Sequence, residues 1–300
     1  MLFTHHSHSG QFCTHAVSTL EEVIQAAIQR GMTHICLTEH IPRPDADLYP
    51  EESSHALLAT QTLQQVFTAY IAEAQRLQSL YAPQIHILLG FETEWIRPSS
   101  LNDIRALQAA TKFDIFMGSI HHVHTYPIDY DDATLAAARD ASGGTDELLA
   151  EAYFDAQLEM LNALHPPVVG HFDLIRLKAA PENRDRDWRK WGDGVWKRIV
   201  RNLEVVKGYG GVLEVNSAAL RKGLADVYPR REIMEVWSEM GGRLTLSDDS
   251  HGVEQLCTNY AKALDCVGKA GIGSLWYAEK AEQGLVWKAA KIEEVRARLR

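Results

Sequence analysis

Short apolar or β-branched runs alternate along the chain with longer segments whose apolar residues recur every three or four positions. LFTHH at the start, HICLTEH ending at His40, IHILLGFETEW ending near Trp95 and DIFMGSIHHV ending near Val123 read as strands. So do PVVGHFDLI ending at Ile175, GVLEVNS ending at Ser217 and RLTLSDDSH ending at His251, with SLWYAEK a weaker eighth. Helical spacing fills Ser18 to Arg30, His55 to Tyr81, Leu101 to Ala110, Glu147 to Leu164, Trp188 to Lys207 and Glu232 to Met240. Gly31, the group Gly208, Gly210 and Gly211, and the pair Gly241 and Gly242 fall where a helix must close before the next strand. Strands alternating with helices predict an α/β fold built on a parallel sheet.

No Pro- or Ser-rich linker, fixed-period repeat or low-complexity tract divides the chain, so residues 1–300 are expected to form a single domain. The stretch from Lys178 to Arg189 mixes both signs of charge and reads as a solvated loop, the alternative being a cover over an active site. With 46% hydrophobic residues the chain can bury a core without stapling. Cys13, Cys36, Cys257 and Cys266 form no CxxC pair and read as reduced, packed thiols, which points to the cytoplasm. No run reaches the ~18 apolar residues of a membrane span, and the start lacks a charged segment followed by a long apolar one. Forty acidic against thirty basic side chains leave a formal charge of −10, which repels a nucleic-acid backbone and favours a small substrate.

Of the 14 histidines, His6, His8, His40, His121, His171 and His251 each fall at or just beyond the C-terminal half of an expected strand. Glu92, Glu214, Asp248 and Asp249 follow the same rule. In a parallel barrel those ends meet at one rim. Carboxylates gathered there repel, and half-buried imidazoles go unsatisfied, unless cations hold them together. A polynuclear metal site accounts for both. HSH puts two imidazoles on one side of an extended strand, and Asp249 to His251 repeats the spacing with a carboxylate. Spacing alone does not choose between Glu92 and Glu94, between Asp248 and Asp249, or among His121, His122 and His124. His15 reads as a capping or surface residue in the loop leading to the first helix.

The motifs HSHSGQFCTHA, LTEH, GFE, GSIHHV, VVGHFDLIR, LEVNSAALR and SDDSH, in this order and spacing, resemble the PHP metal-dependent phosphoesterases, and among them the histidinol-phosphatase branch. The resemblance runs from the first strand to about His251. It implies a distorted (β/α)7 TIM-like barrel with two or three divalent ions, Zn, Mn or Fe, at the C-terminal ends of the strands. By that likeness His6, His8, Glu92 and Asp249 hold the first ion. Glu92 bridges to a second, held also by His121 and His171, and His15, His40 and His251 hold the third. The likeness selects Glu92 over Glu94, His121 over its neighbours, Asp249 over Asp248, and His15 against the capping reading.

The implied activity is hydrolysis of L-histidinol phosphate to L-histidinol and phosphate by hydroxide generated at the ions, a step of histidine biosynthesis. No P-loop and no GxSxG elbow offers a competing chemistry. Metal-bound water and the pair Asp249 and His251 are the candidates for protonating the leaving group. Arg176 and Arg221, just past two strands, are the candidate phosphate clamp, with Arg43 and Arg97 as weaker ones, and Asp129 is a candidate partner for the amine or imidazole. Another small phosphate ester, or a nucleotide or exonuclease substrate, is the alternative within the same resemblance. The charge and the lack of a basic, aromatic stripe weigh against nucleic acid. The sequence leaves the oligomeric state open.

Overall fold

The computed structural model describes residues 1–50, 52, 55, 58, 62–282 and 284–299. Its strands are β1 (Phe3–Thr4), β2 (His34–Leu37), β3 (His86–Leu89), β4 (Met117–Gly118), β5 (His122–Val123), β6 (Tyr126–Pro127), β7 (Val168–Val169), β8 (Val212–Asn216), β9 (Arg243–Ser247), β10 (Ser274–Ala281) and β11 (Gly284–Lys291). Its helices are α1 (Leu20–Gln29), α2 (Leu63–Tyr81), α3 (Ser100–Ala110), α4 (Asp132–Ala141), α5 (Asp146–Leu164), α6 (Pro181–Arg184), α7 (Asp193–Tyr209), α8 (Ala218–Arg221), α9 (Arg231–Glu239), α10 (Tyr260–Lys269) and α11 (Ile292–Arg296). This is a mixed α/β fold.

One parallel sheet has the order β1-β2-β3 and a second the order β4-β7-β8-β9. Single parallel bridges extend both: Glu92 pairs with His40 and Met117, and Ser7 pairs with Ser250. Because every strand in these sheets runs the same way, the residues following β1, β2, β3, β4, β7 and β9 lie at one end. Gly90 permits the approach of β3 to the next strand, since a Cβ there would lie 2.7 Å from the carbonyl oxygen of Ile115.

The helices form for local reasons and pack for tertiary ones. Thr19 and Glu22 make a capping box for α1, whose Leu20, Val23, Ile24 and Ala27 are buried. Thr62 and Gln65 do the same for α2, whose Tyr70 hydroxyl lies 2.8 Å from the carbonyls of Leu37 and Gly90. That hydroxyl ties the helix to the ends of two strands just before the residues of interest. Most of 51–61, the beginning of the expected helix from His55, lies outside the described residues.

Three expectations are corrected. The run DIFMGSIHHV is not one strand; it breaks after Gly118, and β5 pairs antiparallel with β6 in a small hairpin. The Lys178–Arg189 stretch is not simply solvated: Trp188 is buried, and its indole N–H donates to Asp173 over 2.9 Å. The strand at SLWYAEK has an antiparallel partner, β11, that sequence reading misses. Helix α4 is missed too, because it buries only Leu135 and Ala138 and so shows little apolar periodicity.

Candidate metal centre

Beyond Thr4 the first strand continues in extended form, and alternation decides what it offers. His6 and His8 point inward, whereas His5 points to the opposite side, with Thr245 and Ala278. The Nε2 atoms of His6 and His8 lie 3.2 and 3.6 Å from one oxygen of Glu92, and 3.7 and 3.6 Å from Oδ1 of Asp249. Their Nδ1 atoms face carboxylates of their own. Glu214 Oε1 lies 2.8 Å from His6 Nδ1, and Glu39 Oε2 lies 3.5 Å from His8 Nδ1. The Glu214 contact fixes the tautomer and ring direction of His6 and leaves its Nε2 as a lone-pair donor toward the centre, whereas Glu39 faces His8 without a hydrogen bond.

Glu92 is the hub. One oxygen lies 3.1 and 2.9 Å from the Nε2 atoms of His121 and His171, and the other 3.1 Å from His40 Nδ1. Burial works against its charge, yet His6, His121 and His40 hold its carboxyl well below the usual range. Asp249 sits in the left-handed region at φ 49°, a conformation costly for a non-glycine residue. Arg221 holds it there by donating to the carbonyls of Asp248 and Asp249 over 3.0 and 2.9 Å.

The polar atoms at this centre are not closed among themselves. Nε2 of His6, both ring nitrogens of His8 and His40, and Nδ1 of His171 are buried without a hydrogen-bond partner. Donor atoms converge in overlapping sets: His6, Glu92 and His171; His6, His8 and Asp249; His8, His40 and Glu92; His40, Glu94 and His121; and Cys13, His15, His40 and His251. Imidazole nitrogens and carboxylate oxygens aimed at shared points, with several left unpaired, fit divalent cations. They border a cavity of about 350 Å³, also lined by Tyr49, Tyr130, Leu174 and Lys222.

The PHP domain family matches residues 4–218, which run from the end of β1 through β8. The chain belongs to the PHP family. It is 44% identical to the probable histidinol-phosphatase of Schizosaccharomyces pombe over 95% of this chain and 92% of that one. Against the histidinol-phosphatase of Saccharomyces cerevisiae the identity is 31%, over 87% and 86%. The fold is also that of the histidinol phosphate phosphatase from Lactococcus lactis subsp. lactis, solved with zinc, L-histidinol and phosphate. There the TM-score is 0.75 at 19% identity, covering 95% of this chain and 98% of that one.

Within this PHP centre the structure brings together every histidine and carboxylate named as a ligand candidate: His6, His8, His15, His40, Glu92, His121, His171, Asp249 and His251. Glu94 is present as well as Glu92, 3.2 Å from His40 Nδ1, but its outer side is occupied by Arg43, which donates to it over 2.8 Å. Of the neighbouring histidines, His122 is buried with Nδ1 3.8 Å from Glu94, and His124 is exposed.

The arginines part company. Arg176 does not reach the cavity: the 3-10 turn Leu174–Arg176 folds it under the rim, where it is 1% exposed. Its Nε lies 3.1 Å from Asp173, and it donates to the carbonyls of Asp226 and Val227. Arg221 does line the cavity, though the two hydrogen bonds described above already engage its guanidinium. Arg43 is buried between Glu52 and Glu94, and Arg97 pairs with Asp47. Asp129 lines the cavity but is drawn to His121 Nδ1 at 3.0 Å, an orienting contact like that of Glu214. Sequence reading missed Lys222, Glu39 and Glu214 in these roles. Adjacency to His40 in LTEH was the available signal for Glu39, and none existed for Lys222.

Proposed function

We propose that this chain hydrolyses L-histidinol phosphate to L-histidinol and phosphate, using two or three divalent ions. The observation that carries the reading is the convergence of unpaired imidazole and carboxylate donors on Glu92 at the floor of a cavity sized for a small ester. The names of the Schizosaccharomyces and Saccharomyces relatives support that choice of ester. His6, His8, Glu92 and Asp249 would hold one ion, Glu92, His121 and His171 a second, and His15, His40 and His251 a third. When bound, such ions offset phosphoryl charge and make water acidic enough to supply a nucleophile at neutral pH. Zinc is the preferred candidate, with manganese and iron as alternatives.

The residues of the chain do the rest. Glu214 and Asp129 hold ring nitrogens of His6 and His121 and so set the direction of the ligand atoms, while Glu39 faces His8 Nδ1 at 3.5 Å. His251 Nδ1 lies 3.0 Å from the carbonyl of Asp249, so that nitrogen carries the proton and Nε2 is the one available to the site. Asp249 and His251, both lining the cavity, are the protein groups assigned to the departing alkoxide in this reading. Lys222 is exposed on the cavity wall and makes no ion pair among the described residues, so it is free to meet an incoming phosphate in a way Arg176 is not. The stacked rings of Tyr49 and Tyr130, 5.4 Å apart, offer a flat wall to an imidazole. The single bridges between the two parallel sheets favour one domain with the seven-stranded, distorted (β/α)7 barrel.

The test is phosphate release from a panel of L-histidinol phosphate, mononucleotides and sugar phosphates, with and without chelator. Histidinol phosphate is expected to turn over best and to stop on chelation. Chelator-insensitive turnover, or preference for a nucleotide, would overturn the reading.

A further inference from the structure

We propose that Cys13 is a fourth protein ligand, as a thiolate, of the outermost ion, completing a set with His15, His40 and His251. The proposal rests on the metal-dependent reading above and goes beyond it by assigning a residue and a metal preference.

The loop that carries Cys13 is built rather than loose. The N–H groups of Phe12 and Cys13 donate to the Ser9 carbonyl over 3.1 and 2.9 Å, and Gly10 N–H donates to Val17 over 3.3 Å. Gly10 is required there, because a Cβ would lie 2.6 Å from the carbonyl oxygen of Ala16. At its far end Val17 N–H donates to the His251 carbonyl over 2.8 Å, which locks the loop to the turn that supplies another ligand. Cys13 is 5% exposed and has no disulfide partner. Its Sγ lies 3.5 and 3.4 Å from the two ring nitrogens of His15. One donor atom from each of Cys13, His15, His40 and His251 lies within 4.8 Å of all the others.

An independent observation marks this as a cation site and not a thiol packed by chance. His8, fully buried with neither ring nitrogen paired, stacks on His40 at 4.3 Å and lies tilted against His251 at 4.5 Å. Both nitrogens of His40 are likewise unpaired. Burial pushes the free Cys13 thiol up, but a coordinating thiol gives up its proton outright; that proton passes to solvent as the metal–sulfur bond forms. Three neutral imidazoles and one thiolate would fill a tetrahedral shell and favour a soft ion such as zinc at this position over manganese. The outermost ion then pins the 9–17 loop to the 249–251 turn, while the ions at Glu92 keep open positions.

The experiment uses the full chain, stripped with chelator and reloaded with cobalt(II). The wild type is expected to show a thiolate-to-cobalt charge-transfer band in the near ultraviolet, and Cys13→Ser to lack it. Elemental analysis of the zinc-loaded proteins is expected to find one ion fewer in Cys13→Ser, or one bound more than tenfold more weakly. The wild type alone supplies a second readout: zinc should slow alkylation of Cys13, followed by mass spectrometry, at least tenfold relative to chelated protein. A cobalt-loaded wild type without the band, or alkylation at equal rates with and without zinc, would overturn the assignment while leaving the metal reading intact. A wild type that takes up no cobalt or zinc would overturn both.

Discussion

His5 and His8 stand three positions apart and are both fully buried, yet they are opposite kinds of histidine. His5 is closed: its Nδ1 lies 2.8 Å from the Thr245 hydroxyl, and its Nε2 accepts from the Ala278 N–H over 3.0 Å. Burial, with the nearby His34, pushes its pKa down to about 3. His8 is open: neither nitrogen has a partner, and Asp249 and Glu39 overcome burial to lift it to about 9. Burial alone does not separate structural from functional imidazoles. What separates them is whether the protein has satisfied the ring itself or left it pointing at carboxylates that need a cation.

Removing the cation is the strongest way to break this contrast. Chelation should abolish turnover and lower the melting temperature by roughly 10 °C, since ions bound far above their dissociation constants contribute several kcal/mol to the native state. Parallel activity and thermal-unfolding measurements check it, and an unchanged melt would refute it. Next in size, Glu92→Gln should lose bound metal and at least roughly 100-fold in kcat, with far-ultraviolet circular dichroism unchanged. Glu214→Gln keeps every proposed ligand but frees the His6 ring, and should weaken metal binding about 10–100-fold, read by titration against a chelating dye.

Arg176→Ala tests the other side of the comparison, a charged group that the protein has closed. Leaving Asp173 buried without its guanidinium partner should cost roughly 3–5 kcal/mol in urea unfolding, with KM for the ester unchanged. A raised KM with unchanged stability would return Arg176 to the site. Smallest is the acid response of His5. The unfolded ring takes up a proton below about 6.5 and the folded one only near about 3, so this contribution to stability is complete above pH 6.5 and is lost as the pH falls toward 3. His5→Gln should therefore reduce the stability loss between pH 7 and pH 5 by roughly 2 kcal/mol.

The convergence of the candidate donors was legible because side chains at the ends of parallel strands meet at one rim, and strand ends can be seen in patterns such as LTEH, GFE and SDDSH. The choices between adjacent donors were not, since one residue's shift along an extended chain reverses the face it presents. Glu94 shows the limit: it lies on the same face as Glu92, and the difference is a buried arginine, Arg43, which arrives from another loop. Arg176 failed for a related reason. Its position after a strand was correctly read, but the direction of the turn carrying it depends on Asp173, Val227 and Tyr228, which only folding brings near. In the fold, the small hairpin at β5 and β6 escaped notice because its strands are two residues long, and β11 because it buries only Ala290 and so lacks an apolar face to read.

The closure between the first and last strands of the two sheets has a bearing on biosynthesis. Thr4 hydrogen-bonds Asp248, 244 positions away, in the same layer of structure that carries His6, His8 and Asp249. A ribosome therefore delivers the HSH loop long before Asp249, so under the proposed assignment the nascent chain has only half a chelate to offer. Loading with metal would then be a late event, coupled to completion of the fold.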